Sequence, residues 1–193
     1  MLWSQAAQTT AVRAGKLFDP KSGQMLANQV VLVQGERIVE VGPVADVTIP
    51  PGAKIIDLSY ATVLPGLIDG HLHLTDGVGG LQYQMMVALR SATESLKAGY
   101  TTQVVQGSHG GVQSEMFPIL VGWGATPLYV LRMATTVNAE IIHWQDNAGT
   151  IEKGKFADLI ATSGDPLQDI TEMQRVKFMM KGGAVIKDEL GAR

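Results

Sequence analysis

The stretch LPGLIDGHLHL, residues 64–74, places two histidines two positions apart, at the end of an apolar run that follows a Pro-Gly turn. Side chains at positions i and i+2 of a β-strand point to the same face. His71 and His73 would then project into one space, as two imidazole ligands of a metal ion do. From these residues alone, the alternative is a pair of core histidines that are satisfied by hydrogen bonds.

Asp69 is the nearest further donor, because it lies two residues before His71 and shares its predicted strand face. It could be a third ligand, an acceptor that orients an imidazole, or a cap of the turn after Gly66. The chain has no cysteine, so a metal would be held by nitrogen and oxygen. Catalytic zinc keeps three protein ligands, and two imidazoles alone are therefore expected to bind metal weakly.

The composition predicts a folded chain and limits its partners. The 193 residues carry a net charge of −3, 46% are hydrophobic, and no basic cluster is present. We therefore expect a small molecule or another protein as the partner, with neither nucleic acid nor membrane. The uncharged run 116–131 is shorter than the roughly 20 residues of a membrane span. The start, MLWSQAAQTT, is not a complete signal peptide, so the localisation stays open between cytoplasm and periplasm.

Both ends of the chain are predicted to be β-structure. Residues 11–60 contain four strand-like runs separated by turn clusters, which predicts an antiparallel module connected by hairpins. Near the C-terminus, Gly182 and Gly183 stand between two apolar runs and predict a two-residue hairpin turn.

The middle of the chain predicts one βαβ unit followed by helices. Residues 61–74 form a nearly continuous apolar strand, of the kind found in parallel sheets. Residues 82–99 carry apolar side chains at helical spacing, with Gly99 after the last turn, and YTTQVVQ predicts the second strand. A short helix is expected around 115–121. A longer one begins with Thr126 as N-cap and has Leu128, Leu131, Thr135 and Ile142 on one face.

The order of these segments resembles the amidohydrolase superfamily, and within it the imidazolonepropionase-like and Xaa-Pro dipeptidase-like members. The resemblance rests on PGLIDGHLHL, AGYTT, GATPLYVLRMATTVNAE and GTIEKGKFADLIATSGDPLQDI, and it covers almost the whole chain. It implies a (β/α)₈ barrel with a metal site at the C-terminal ends of its strands, together with a small β-sandwich built from both chain ends. It also implies that His71 and His73 are the first two ligands of a divalent metal, with zinc as the expected ion.

The chain is too short for the whole barrel that the resemblance implies. Such barrels need roughly 200 to 250 residues, and the interval 63–149 holds fewer than half of that. We therefore predict an α/β plus β fold, with a β-sandwich domain formed by 1–62 and 150–193 and a truncated barrel remnant at 63–149. Near Gly107 and Ser108 the sequence passes from family strand two to the loop after strand eight, so barrel strands 3 to 8 are predicted to be absent.

The missing part would include the bridging lysine, two later histidine ligands and the strand-eight aspartate, whose position falls on Gln103. By resemblance His109 is a substrate-side loop residue, whereas a solvated loop histidine is the alternative. Glu115 matches a family glutamate and equally suits a helix N-terminus. His143 is expected to end a helix, at a position where relatives usually carry glycine.

The implied function is metal-dependent hydrolysis of a C–N bond in a peptide or cyclic amide, in which a metal-activated water attacks a carbonyl. Only the first ligand pair is present, so we expect this chain to be impaired or inactive and assign no catalytic residue. The alternative is a non-catalytic β-sandwich that forms a homo-oligomer through the apolar segment 100–131.

Overall fold

The structure is a computed structural model that describes residues 8–72, 79–105 and 113–190. Strands from both chain ends build its larger sheet. They are β1 (Thr9–Asp19), β2 (Gln24–Gln34), β3 (Arg37–Pro43), β4 (Lys54–Pro65), β7 (Leu159–Thr162), β8 (Phe178–Lys181) and β9 (Ala184–Asp188). Their order in the sheet is β3-β2-β1-β4-β7-β8-β9. The N-terminal and C-terminal strands meet where β4 pairs antiparallel with β7, as the prediction of a unit built from both ends requires.

One strand departs from the antiparallel pattern that the sequence predicts. The β1–β2 and β2–β3 pairs are antiparallel hairpins, but β4 pairs parallel with β1. The prediction of a wholly antiparallel N-terminal module was therefore wrong at β4. The segment 44–53 is long enough to carry the chain across two strands, which a parallel pairing requires and a tight hairpin cannot do.

The sheet curls over until two hairpin turns touch. Gly183 in the β8–β9 turn packs on the β2–β3 turn, because a Cβ added to it would lie 2.1 Å from the carbonyl oxygen of Gly35. Gly182 and Gly183 have φ values of 51° and 75°, which confirms the predicted two-residue turn. The interior is one apolar cluster drawn from both chain ends. The two chain ends thus form one curled seven-stranded sheet round this core, whereas a β-sandwich was predicted.

The apolar strand predicted over 61–74 is broken at Gly66. Its first part ends β4 at Pro65, and its second part is β5 (Leu67–Leu72) in another sheet. The Gly66 N–H donates to the Asp158 carbonyl at 2.8 Å. A Cβ at Gly66 would lie 2.2 Å from Thr101 Oγ1, so this junction has room only for glycine. A glycine in a strand often marks such a close approach.

The second sheet is the predicted βαβ unit. Strand β5 pairs parallel with β6 (Tyr100–Val105), and helix α1 (Leu81–Lys97) connects them. Gly99 has a φ of 108°, which agrees with its predicted place after the helix. The apolar face of α1 is largely exposed, with Met85 at 64%, Met86 at 72% and Leu89 at 71%. In the described residues the parallel sheet has two strands, and a barrel remnant is therefore not confirmed.

The remaining helices lie beside β5 and β6. They are α2 (Met116–Gly122), α3 (Pro127–Arg132), a π-helical turn (Met133–Val137) and α4 (Asn138–Ile141). Thr126 caps α3, because its Oγ1 accepts from the Tyr129 N–H at 3.2 Å, and this confirms the predicted start. The predicted single helix is interrupted by the π-helical turn. No helix in the described ranges is long and apolar enough to cross a membrane.

The predicted division into a β-domain (1–62 and 150–193) and a barrel segment (63–149) stays a prediction.

Candidate functional site

The candidate site lies where β5 carries the sequence DGH. Asp69 is aligned with Gln103 of β6, and the pairing changes register between Asp69 and Leu72. The backbone of His71 belongs to β5, but its side chain lies outside the described part of the chain, as do His73 and His109. The shared face of the two imidazoles therefore stays a prediction. Gln103 does lie beside Asp69. Because its side chain is an amide, it adds no carboxylate ligand to this region.

The described residues do not form a complete metal centre. Residues 8–72, 79–105 and 113–190 contain no group of three or more histidine, aspartate or glutamate side chains that could hold a metal ion. Near the C-terminal end of β5, the structure describes the Asp69 carboxylate as a possible metal ligand. Asp69 by itself does not complete the three protein ligands of a catalytic zinc site, and the imidazoles of His71 and His73 lie outside the described residues. We therefore derive no chemical step through a metal ion.

A pocket of about 120 Å³ adjoins Asp69 and opens between the β5–β6 sheet and the helices. Its wall is mostly apolar. The lining residues are Ile68, Asp69, Tyr100, Met116, Phe117, Leu120, Val130, Met133, Ala134 and Asn138. Sequence reasoning did not predict this pocket, because its residues come from six separate elements.

Tyr100, the first residue of β6, is one of the residues that line this pocket. Burial, and after it the negative charge of Asp69, raises the pKa of the Tyr100 hydroxyl. The hydroxyl therefore keeps its proton at neutral pH and can act as a hydrogen-bond donor but not as a base. Sequence reasoning missed this residue, since AGYTT was interpreted only as the start of a strand.

Asn138 joins the helical segment to β5. Its Nδ2 donates to the carbonyl oxygen of Ile68 at 2.6 Å. Next to it, Ala139 packs with Ile68 and Ala148 in a small apolar cluster. The signal that could have identified Asn138 is its position, since asparagine is a weak helix former inside an otherwise helical run.

Other residues singled out in the sequence have structural roles. Glu115 is exposed and directly precedes α2, as expected for a helix N-terminus. His143 follows α4 with a φ of 55°, in the left-handed region where glycine is favoured. Asp158 is buried and accepts from Lys181 Nζ at 2.9 Å and from the Gly182 N–H at 2.7 Å. This carboxylate holds the β8–β9 turn.

Comparisons with known proteins agree with this arrangement. A sequence profile described as the Amidohydrolase family matches residues 119–186. The chain is 39% identical over 66 residues to an adenine deaminase of Rubrobacter xylanophilus, covering 34% of this chain and 11% of that protein. It is 37% identical over 93 residues to a dihydroorotase of Citrifermentans bemidjiense, covering 48% of this chain and 20% of that protein.

The chain resembles the amidohydrolase superfamily, and residues 119–186 carry the match to the family profile.

Solved structures show the same fold as this chain. A Xaa-Pro dipeptidase with bound methionine has a TM-score of 0.84 at 14% identity, and the match covers 93% of this chain and 100% of that chain. Molinate hydrolase has a TM-score of 0.77 at 14% identity, covering 94% of this chain and 95% of that chain. The segments matched to the two curated relatives make up only 11% and 20% of those proteins.

Proposed function

We propose that this chain is a metal-dependent hydrolase unit of the amidohydrolase superfamily, directed at C–N bonds of small amides or dipeptides, and that it is strongly impaired on its own. The match of residues 119–186 to the Amidohydrolase family carries the first half of the proposal. Similarity to proteins named adenine deaminase, dihydroorotase and Xaa-Pro dipeptidase supports a C–N bond as the target. The predicted absence of barrel strands 3 to 8, with the bridging lysine and the later histidine ligands, supports the second half.

The proposed ligands are His71 and His73, with zinc as the proposed metal. The sequence supplies the HxH pair, of which His71 lies in β5, with Asp69 two residues before it. A bound divalent metal would polarise a carbonyl and lower the pKa of a water molecule. The proposed barrel remnant, which lacks family strands 3 to 8, accounts for the missing ligands.

Zinc affinity tests the proposed site. Isothermal titration of the purified chain is expected to show weak zinc binding that the double substitution His71→Ala/His73→Ala reduces more than tenfold. His143→Ala is the matched control, since His143 is exposed at the end of α4. A wild-type chain that binds no zinc, or a double variant that keeps its affinity, would show that the pair is not a metal site.

Activity is a separate measurement. We expect kcat/KM on dipeptides and cyclic amides to lie more than tenfold below that of intact relatives measured in parallel. The double histidine variant serves as the control for contaminating enzyme. A wild-type value within tenfold of the relatives would contradict the proposed impairment.

A second candidate function is self-association without catalysis, and exposed apolar side chains favour it. In the segment 100–131 they include Trp123 at 77% and Tyr129 at 58%. The larger set lies on α1, where Met85, Met86 and Leu89 are exposed. The two charges within 81–96, Arg90 and Glu94, pair with each other at 2.8 Å. Two copies of this face could therefore meet without repulsion between like charges.

Sedimentation velocity tests whether a second copy covers this face. We expect a concentration-dependent dimer that Met86→Glu/Leu89→Glu converts to monomer, because charged residues oppose burial of the helix face. Val185→Glu, at an exposed position of β9, is the control for added charge. A wild-type chain that stays monomeric at all concentrations would rule out this function.

A further inference from the structure

The pocket that Asp69 lines has the size of a small-molecule site and is not used in the proposed hydrolysis. Its volume is about 120 Å³, and an apolar cavity of about 150 Å³ is large enough to hold benzene. Phe117 and Val130 are buried, whereas Met116 is 37% exposed, and all three line the pocket. The pocket therefore has room for one small ring.

Asp69 gives this mostly apolar pocket its charge. Of the described residues that line it, Asp69 is the only one with a formally charged side chain. A carboxylate surrounded by apolar groups attracts a cation more strongly than a carboxylate in water does, because its surroundings screen the charge less. It repels an anion for the same reason. An apolar molecule with one positive charge therefore matches the pocket best.

The side chain of Asp69 lies on the face of β5 that the helices cover. Leu67, two residues before it, packs in the apolar cluster that contains Phe117 and Val130. Side chains at positions i and i+2 of a strand share a face, so the carboxylate points to the side on which this cluster lies. Burial, and after it the charge of Asp69, raises the pKa of Tyr100, which belongs to the same cluster. The charge thus acts inside this cluster.

Aromatic and sulfur-containing side chains line the same pocket. The ring faces of Tyr100 and Phe117 can attract a cation. Met116 and Met133 are unbranched and adapt to the shape of a bound ring. An ammonium group that leaves water needs a partner of opposite charge, and the Asp69 carboxylate is one. A negative charge, aromatic rings and adaptable apolar walls therefore meet in one pocket.

We propose that this pocket binds a small organic cation, in which a primary ammonium group is carried on a single apolar ring. The ammonium group lies at the Asp69 carboxylate, and the ring lies against Phe117, Leu120 and Val130. Binding at this site needs no metal ion and no catalytic step, so it goes beyond the proposed hydrolysis. A neutral ring of the same shape lacks the attraction to Asp69 and should bind more weakly.

Three ligands of similar shape test the charge preference in the full chain. They are benzylamine, benzyl alcohol and benzoate, which are positive, neutral and negative at pH 7. Chemical-shift titration of the methyl-labelled chain gives each affinity, and added EDTA keeps divalent metal ions away from Asp69. We expect benzylamine to bind at least tenfold more tightly than benzyl alcohol, and benzoate to show no binding.

The same titration locates the bound ligand. The methyl signals of Leu120, Val130 and Ala134 should shift with benzylamine, because these residues line the pocket. Those of Leu159 and Ala161 should stay unchanged, because both side chains are buried in the core of the larger sheet. This measurement on the wild-type chain does not depend on whether a variant folds.

Asp69→Asn removes the charge and keeps nearly the same shape. We expect it to weaken benzylamine binding at least tenfold and to leave benzyl alcohol binding within twofold of wild type. A variant that had lost its fold would instead lose both ligands. Asp46→Asn is the matched control, because Asp46 is exposed in the connection between β3 and β4, and it should bind benzylamine as the wild type does.

Four results would overturn the proposal. The first is a wild-type chain that binds no benzylamine, or binds it no better than benzyl alcohol. The second is benzylamine binding that shifts none of the methyl groups of Leu120, Val130 and Ala134, since the ligand would then lie elsewhere. The third is unchanged benzylamine affinity in Asp69→Asn, and the fourth is an equal loss of benzylamine and benzyl alcohol in that variant.

Discussion

Similar apolar residues are buried in the curled seven-stranded sheet but exposed in the β5–α1–β6 unit. In the sheet, Leu159 and Phe178 are completely buried, whereas on α1 Met85 and Leu89 are more than half exposed. Seven strands can curl round one core, but two strands offer too narrow a surface to cover a helix of 17 residues. An apolar stripe is therefore buried only where neighbouring elements pack on it. The described part of the chain supplies such neighbours for the seven-stranded sheet but not for α1.

Polar groups show the same contrast. In the sheet, both oxygens of the buried Asp158 carboxylate are hydrogen-bonded. In the β5–β6 unit, Thr101 Oγ1 is buried and has no hydrogen-bond partner among the described residues. Buried polar groups are normally satisfied. Among the described residues, the parallel unit thus leaves a buried polar group unsatisfied, and it is also the unit that carries the proposed site.

The largest effect is expected from Gly66→Ala, at the junction of the two regions. The added Cβ would meet the Thr101 side chain at 2.2 Å, so β5 must move away from β6. We expect a loss of more than about 3 kcal/mol in the free energy of unfolding, measured by urea denaturation. Gly122→Ala is the control, because a Cβ there meets no described atom within 4 Å. Equal stability of the two variants would contradict the close packing at the junction.

A matched pair of leucine substitutions tests the contrast in burial directly. Leu159→Ala removes a fully buried side chain of β7 and should cost about 3 kcal/mol. Leu89→Ala removes a side chain that is 71% exposed, and it should change stability by less than about 0.5 kcal/mol. Denaturant midpoints at low protein concentration provide the comparison. A large loss with Leu89→Ala would indicate that α1 is covered after all, for example by a second copy.

A gain in stability is expected from His143→Gly. The residue adopts a φ of 55°, which costs a non-glycine side chain free energy, although histidine tolerates it better than most. We expect the folded chain to become more stable by about 0.5 kcal/mol. This is the backbone strain that is relieved minus the cost of the greater conformational freedom of glycine in the unfolded chain. Thermal unfolding would detect the gain as a small rise in Tm. A lower Tm would show that the imidazole stabilises the folded chain by more than the backbone strain at His143 destabilises it.

The smallest effect concerns Glu172, in a turn that packs against α2. Burial by itself raises the pKa of Glu172, but hydrogen bonds from Arg175 and from the Gly164 N–H outweigh it, and the pKa lies below the ordinary 4.5. A lowered carboxyl pKa stabilises the folded chain above pH 4.5, and this contribution is lost as the pH falls through the lowered pKa.

The free energy of unfolding, measured from pH 6 to pH 3, should fall slightly less with decreasing pH in Glu172→Gln than in the wild type. Glu115→Gln, at an exposed position, is the control and should leave the slope unchanged. An identical acid profile for Glu172→Gln and the wild type would show that the two hydrogen bonds do not favour the ionised form.

Much of the local structure could be predicted from the sequence. The Gly182–Gly183 turn, the Thr126 cap, α1 with Gly99 after it and the βαβ order all depend on residues close together in the chain. The superfamily could be recognised because its motifs are also short and ordered along the sequence. The HxH pair remains the part of the candidate site that sequence predicts and the described structure leaves untested.

Only the tertiary structure decided how these pieces meet. It showed that β4 runs parallel to β1 and that the chain changes sheets at Gly66. It also brought Asn138 to the edge of β5, 70 residues away in sequence. Local patterns report which face of an element is apolar, but they do not report which element covers it. That choice depends on contacts between distant segments, and for α1 it left an apolar face exposed.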